Sequence, residues 1–264
     1  MTDNACQDRA RSLAESLSAE LVADDSELAP GTAFVLQYDD TGLGLRMTAR
    51  HAPGKVRVDF TSPQLSYRVA DAVRKQAIAR AVGIKPGMTP SVIDATAGFG
   101  KDAFLLSALG CPVLMIERSP IVYALLQDGL QRALTVDDDA LSRGNTVEAA
   151  RRLSLRQGVF EKLGRAGLRA DVVYLDPMFP PRAKTARVKK DLYVLQQFLG
   201  HEPVSPDLLS TALRLAGRRV VVKRPRLAEP LCATNPSASS VFGSRSPDFS
   251  LTGKTSRYDV YLTG

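Results

Sequence analysis

Between residues 91 and 223 five short strand-like runs recur with helix-like segments between them: SVIDA (91–95), PVLMIE (112–117), RLSLRQ (152–157), DVVYLD (171–176) and RRVVVK (218–223). This alternation constrains the fold more than any other feature. A strand followed by a helix and another strand closes only as a right-handed crossover, so repetition builds a mostly parallel, doubly wound α/β sheet. The clearest intervening helices, PIVYALLQDGLQRAL and PDLLSTALRLA, each carry Pro at or near the first turn, where its missing N–H costs nothing. The last run, RYDVYLTG, is expected as an added edge strand. The stretch 233–256, rich in Ser, Pro and Gly, reads as a long mobile loop.

Ahead of the sheet, residues 33–60 hold three short β-rich runs separated by DDTG and APG, a small β-meander. YRVADAVRKQAIARAV (67–82) has helical spacing and stops at Gly83. These signals divide the chain into an N-terminal β-rich subdomain (1–66) and a larger α/β domain (67–264).

The chain has 264 residues, 44% of them apolar, enough for a real core. Its net charge of +7 favours a polyanionic partner such as nucleic acid. Three scattered cysteines argue against a disulfide framework and a zinc site, and point to a reducing, cytoplasmic setting. The two histidines, His51 and His201, stand apart, and no metal is expected. No apolar run approaches the roughly 18 residues that a membrane span needs.

Ligands of an open α/β sheet bind at the carboxyl ends of its strands. The first such end reads VIDATAGFGKDA: Asp94, then Gly98 and Gly100 in a tight turn. Glycines there permit positive φ and close approach of a ligand. The G-x-G-x-x-A spacing from Gly98 suits a dinucleotide too, but a carboxylate beside the turn would repel a pyrophosphate. It would attract a ligand carrying an ammonium group and a sulfonium, and S-adenosylmethionine is such a ligand. The second strand ends in Glu117, an acceptor for two ribose hydroxyls. After the third come Val159 and Phe160, which either flank an adenine ring or belong to the core.

The fourth end is VVYLDPMFPPR. Asp176 ends a buried strand, and Pro177, Met178 and Phe179 follow it. Asp-Pro-Met-Phe resembles the Asp/Asn-Pro-Pro-Tyr/Phe motif of methyltransferases acting on exocyclic or amide nitrogens. An aromatic amine is a poor nucleophile because its lone pair is delocalised. A carboxylate and a main-chain carbonyl accepting its hydrogens would align it, and Phe179 would stack on the ring. Beyond lie Arg182, Lys184, Arg187, Lys189 and Lys190, and the fifth strand ends with Lys223 and Arg224. These two basic clusters are expected to bind RNA phosphates.

Together DATAGFGKDAF, GCPVLMIERSP, ALLQDGL, VVYLDPMFPPR, VKK and RVVVKRP resemble the bacterial ribosomal RNA small-subunit methyltransferase J family, over roughly residues 30–262. The resemblance implies a Rossmann-like class I methyltransferase fold and S-adenosylmethionine as cofactor. It implies methylation of a guanine N2 near the 3′ end of 16S ribosomal RNA, with the RNA or the 30S subunit as partner. It also places Lys101, Asp102, Arg118, Val159 and Phe160 among the cofactor contacts, beside Glu117, and Asp176 where cofactor meets substrate. From the residues alone three rivals stand: an NAD-dependent oxidoreductase, an amino-methyltransferase on DNA or a protein amide, and a non-catalytic RNA-binding module.

Overall fold

The computed structural model describes residues 3–75, 77–136, 146–177, 190–200, 204–231, 245–253 and 256–264. Its centre is a seven-stranded sheet made of β3 (Val92–Asp94), β4 (Val113–Glu117), β5 (Leu153–Gln157), β6 (Ala170–Leu175), β7 (Ala216–Pro225), β8 (Phe249–Thr252) and β9 (Ser256–Leu262). The spatial order is β5-β4-β3-β6-β7-β9-β8. The first five are mutually parallel, whereas β9 runs antiparallel to both of its neighbours. The chain builds outward from β3 to β5, then crosses back to β6 on the other side of β3. The order therefore reverses between β3 and β6, and the carboxyl ends of those strands flank the crevice.

Parallel strands covered on both faces should be apolar at every position. Val172, Val173, Tyr174 and Leu175 are each fully buried, as are Val220, Val221 and Val222. The two faces separate by strand alternation. Val172, Tyr174 and Val221 pack in one cluster with helices α4 (Lys101–Ala108) and α5 (Pro120–Leu134). Val173, Leu175, Val220 and Val222 pack in the other with α7 (Phe160–Gly164) and α9 (Asp207–Leu215). The helix α6 (Thr146–Arg151) lies on the first face, where Ala149 and Ala150 join the same core.

The N-terminal part opens with a helix, α1 (Asp3–Leu17), followed by an antiparallel hairpin of β1 (Phe34–Asp39) and β2 (Gly42–Met47). The third run expected here is not a strand, since Val56 makes only an isolated bridge to Leu45. Its side chains still point inward: Val56, Val58 and Phe60 share a core with Leu43, Leu105 and Leu126, and the Phe60 ring stacks on Phe104. Buried Asp128, in α5, ties the two parts. Its carboxylate accepts from the Leu43 N–H at 3.0 Å, from Arg9 at 3.1 Å and from Arg132 at 2.8 Å.

Helix α2 (Pro63–Lys75) starts earlier than the helical spacing suggests, and α3 (Ala77–Val82) completes that segment. α3 stops at Gly83, whose φ of +87° and whose N–H, with that of Ile84, bonded back to Ala79 form a left-handed cap. Two further expectations are corrected. The terminal run is not at the edge: β9 pairs with β7 on one side and β8 on the other. The edge strand is β8, inside the stretch read as a mobile loop.

Candidate active site

The turn after β3 is held by its neighbours. The N–H of Ala95 donates to the Tyr174 carbonyl and that of Ala97 to the Ile116 carbonyl, so the turn is pinned to the ends of β6 and β4. Gly98 and Gly100 both adopt positive φ, +53° and +68°. A Cβ on Gly100 would lie 2.9 Å from Leu126 and 3.0 Å from Phe60, inside the core, whereas one on Gly98 would meet no side chain closer than Leu195 at 3.8 Å. Gly100 is thus a packing glycine, and Gly98 leaves its backbone approachable. Asp94, only 2% exposed, accepts one hydrogen bond from the Thr96 N–H at 3.1 Å. Burial pushes its carboxyl up to about 8, against the pull of that bond, and the charges of Asp102 and Asp176 add to the push.

Glu117 closes the next strand. One carboxylate oxygen accepts from the Gly98 N–H at 3.2 Å and the other from the Ser119 N–H at 2.8 Å. Ser119 in turn caps α5 through the Val122 N–H, with Pro120 at the first helical position. One acid therefore braces both the glycine turn and the start of α5. Burial pushes its carboxyl above the usual range. Arg118 beside it is exposed.

The carboxyl end of β6 carries a charged chain of four side chains. The Asp176 N–H donates to Thr96 Oγ1 at 2.6 Å, fixing its backbone to the β3 turn. Asp176 Oδ2 accepts from Lys223 Nζ at 2.7 Å, and the same ammonium donates to Asp102 Oδ2 at 2.6 Å. Asp102 also accepts from the Tyr174 hydroxyl at 2.8 Å and from Arg68, in α2, at 2.8 Å. Burial opposes the charge on Asp102, but Lys223 and Arg68 outweigh it and hold the carboxyl well below the ordinary range. Asp176 shifts the other way: burial, aided by the Asp102 charge, raises it against Lys223. Burial also opposes the Lys223 ammonium, yet its two carboxylates hold it well above a normal lysine. The Asp176 side chain remains 38% exposed at the mouth of the crevice. Among the described residues nothing donates to its Oδ1.

The expected site residues divide accordingly. Asp94, Gly98, Glu117, Asp176 and Pro177 converge around the β3–β6 crevice. Lys101 does not turn to it, because its ammonium pairs with Asp191 of α8 (Lys190–Leu199). Asp102 is buried within the Arg68–Tyr174–Lys223 cluster. Phe160 is 3% exposed and packs in the core with Ile93, Ala95 and Ile116; Val159, before it, is 37% exposed. Lys223 and Arg224, expected to meet RNA phosphates, are engaged within the protein. Lys223 is engaged by two carboxylates, and buried Arg224 donates to the Glu229 carbonyl. Lys190 is exposed at the start of α8. Phe179, Arg182, Lys184, Arg187 and Lys189 lie outside the described residues. Arg68, Tyr174 and Thr96, unremarked in the sequence, join the site through these hydrogen bonds.

Among the described residues no group of three or more His, Cys, Asp or Glu is placed to hold a metal ion. No described helix is long and apolar enough to cross a membrane.

Buried acids at the ends of β3 and β4, with an approachable glycine turn between them, fit an ammonium and a ribose. Comparison with known proteins agrees. Residues 22–263 match a family described as putative SAM-dependent methyltransferase. Ribosomal RNA small subunit methyltransferase J of Thioalkalivibrio sulfidiphilus is 45% identical over 257 residues, covering 96% of this chain and 94% of its own. The protein of the same name in Pseudomonas aeruginosa is 42% identical over 97% of this chain and 90% of its own. The crystal structure of a SAM-dependent methyltransferase from Neisseria gonorrhoeae, NGO1261, superposes with a TM-score of 0.68 at 31% identity, covering 99% of this chain and 94% of that one. With its class I sheet order, its strand-end acids and relatives alike over nearly their whole length, the chain belongs to the ribosomal RNA small subunit methyltransferase J family of S-adenosylmethionine-dependent methyltransferases.

Proposed function

We propose that this protein methylates the exocyclic N2 of a guanosine near the 3′ end of 16S ribosomal RNA. The observation that carries the reading is Asp176. It sits at the carboxyl end of β6 beside the strand-order reversal, with Oδ2 fixed by Lys223 and, among the described residues, no donor on Oδ1. The small-subunit RNA is taken from the relatives' names, and the net charge of +7 suits such a partner.

When bound, S-adenosylmethionine supplies an electrophilic methyl on a sulfonium, which departs as a neutral thioether. Asp94 would hold the cofactor's ammonium, Glu117 would accept from its ribose hydroxyls, and the open Gly98 backbone would let it approach. Asp176 Oδ1 and the Pro177 carbonyl accept the two N2 hydrogens, drawing the lone pair out of conjugation and aiming it. Asp176 is then placed to take the proton that the methylated nitrogen sheds. Phe179, two residues beyond Pro177, supplies an aromatic face for a base turned out of its stack. Lys190 and its sequence neighbours Arg182, Lys184, Arg187 and Lys189 take up phosphates in the cytoplasm, where the 30S subunit is made.

The test is transfer of tritiated methyl to 30S subunits from cells lacking this gene, with Asp176→Ala as control. Label mapped to N2-methylguanosine and absent in the control is the expected result. Label on a different base or at another position would overturn the assignment of target. Transfer to DNA or protein alone would overturn the RNA substrate.

A further inference from the structure

We propose that Lys223 is a positioning residue for methyl transfer: it fixes Asp176 so that Oδ1 faces the amine, and is itself held by the buried Asp102–Arg68–Tyr174 cluster. This rests on the reading of Asp176 as the acceptor of the exocyclic amine.

The geometry carries the inference. The pairing of β6 with β7 sets Tyr174 beside Val221 and Leu175 beside Val222. One residue further, the same register sets Asp176 beside Lys223. The lysine lies between two carboxylates, 2.7 Å from Asp176 and 2.6 Å from Asp102. Its side chain is 23% exposed, which makes it a poor hand for RNA phosphate. Asp102 is in turn held by three donors: Oδ1 takes Arg68, while Oδ2 takes Tyr174 and Lys223. A lysine tethered at its back to a carboxylate fixed in this way has little freedom, so it offers Asp176 a fixed direction. Two carboxylates around one site resist joint ionisation unless a cation stands between them. Without Lys223, Asp176 would face the Asp102 charge with no cation between them. It would then hold a proton to higher pH, and a protonated Asp176 accepts the amine poorly.

Among the described residues the charged and titratable groups around the ammonium are Asp102 from α4, Asp176 after β6, Tyr174 within β6, Arg68 from α2, Asp94 from β3 and Tyr258 from β9. Of these, removal of Lys223 changes Asp176 most directly, since Asp102 keeps Arg68.

The experiment compares pH–rate profiles on 30S subunits for wild type, Lys223→Met, Lys223→Arg and Lys223→Met/Asp102→Asn. Affinity for S-adenosylhomocysteine, measured by calorimetry, serves as the check of fold and cofactor site. Lys223→Met is expected to lower kcat about a hundredfold, the scale for losing one aligned electrostatic group. KM for the subunit should hold, and the acidic limb should move up by about one pH unit or more. Lys223→Arg should keep the limb near its wild-type place. The double variant should put it between wild type and Lys223→Met, because the repelling Asp102 charge has gone.

An unmoved limb with kcat retained in Lys223→Met overturns the proposal. So does a rise in KM at constant kcat, which would make Lys223 an RNA contact. If Lys223→Met does not bind S-adenosylhomocysteine, the double variant decides on the same limb: displaced supports, unmoved overturns. Asp176→Ala separates the two readings. A fully active Asp176→Ala removes the reading of Asp176 itself. An inactive Asp176→Ala beside a wild-type-like Lys223→Met removes the role of Lys223 alone.

Discussion

The carboxylate of Glu117, at the end of β4, accepts a hydrogen bond from the backbone N–H of Gly98, in the turn after β3, at 3.2 Å. Its other oxygen takes the Ser119 N–H at 2.8 Å. The acid that the cofactor's ribose is proposed to meet is thus the same acid that shapes the glycine turn.

Replacing Glu117 by Gln keeps the shape but gives the side chain only one accepting atom. Either Gly98 or Ser119 then faces an NH2 group, and an unmade bond at a buried donor costs about 1–3 kcal/mol. Lost cofactor affinity should accompany the lost stability. We expect S-adenosylhomocysteine to bind tenfold or more weakly, about 1.4 kcal/mol, in titration calorimetry. Unchanged affinity in a correctly folded Glu117→Gln would exclude Glu117 from the cofactor site.

Gly98 and Gly100 should respond differently to alanine. Both pay roughly 1–2 kcal/mol for positive φ. Only Gly100 adds overpacking, because its Cβ would press on Leu126, Phe60 and Met115, for about 1–3 kcal/mol more. Urea denaturation should therefore show Gly100→Ala clearly less stable than Gly98→Ala. Gly98→Ala should lose mainly cofactor affinity. Equal destabilisation of the two would contradict this division.

The parts of this site that were legible in the sequence follow from local chemistry. Acids directly after apolar runs mark strand ends, so Asp94, Glu117 and Asp176 stood out unaided. Lys223 did not, because its partner is set by how β6 and β7 align, and sequence proximity to Arg224 and Arg226 suggested a basic rim instead. Phe160 illustrates the same limit, since an aromatic after a strand reads alike as core or as ligand platform. Alternation at Val56, Val58 and Phe60 reported buried side chains correctly, but says nothing about whether their backbone finds a partner. β8 was hidden because its four residues are mostly exposed and lie in a Ser-rich stretch. β9 reads as an edge in the sequence because strand order beyond β7 depends on β8.

Asp128 should matter for stability rather than for chemistry. Its removal leaves the buried Leu43 N–H without its acceptor and takes a carboxylate from both Arg9 and Arg132. Asp128→Ala should cost about 2–4 kcal/mol, the unmet donor plus part of a largely buried ion pair. Hydrogen exchange at Leu43 should accelerate more than at Val173 in the central strand, since the hairpin loses its tie to α5 first. An unaltered Leu43 protection factor would show that apolar packing alone holds the hairpin.

Asp94 provides a pH signature. Burial pushes its folded carboxyl up to about 8, far above an ordinary aspartate. A group with a raised folded value binds more protons in the native state than in the unfolded chain. Its contribution is therefore fully present below pH 4 and lost as pH rises through about 8. Asp94→Asn removes that contribution, so the fall in stability of the free protein between those limits should become shallower in the variant. The same carboxyl, paired with the cofactor's ammonium, would prefer its charged form. Binding of S-adenosylhomocysteine at pH 7 should then release up to one proton from the wild type. Titrations in buffers of different ionisation enthalpy measure that release directly. Proton release equal in wild type and Asp94→Asn would mean that the ammonium is held elsewhere, while its disappearance in the variant assigns the ammonium to Asp94.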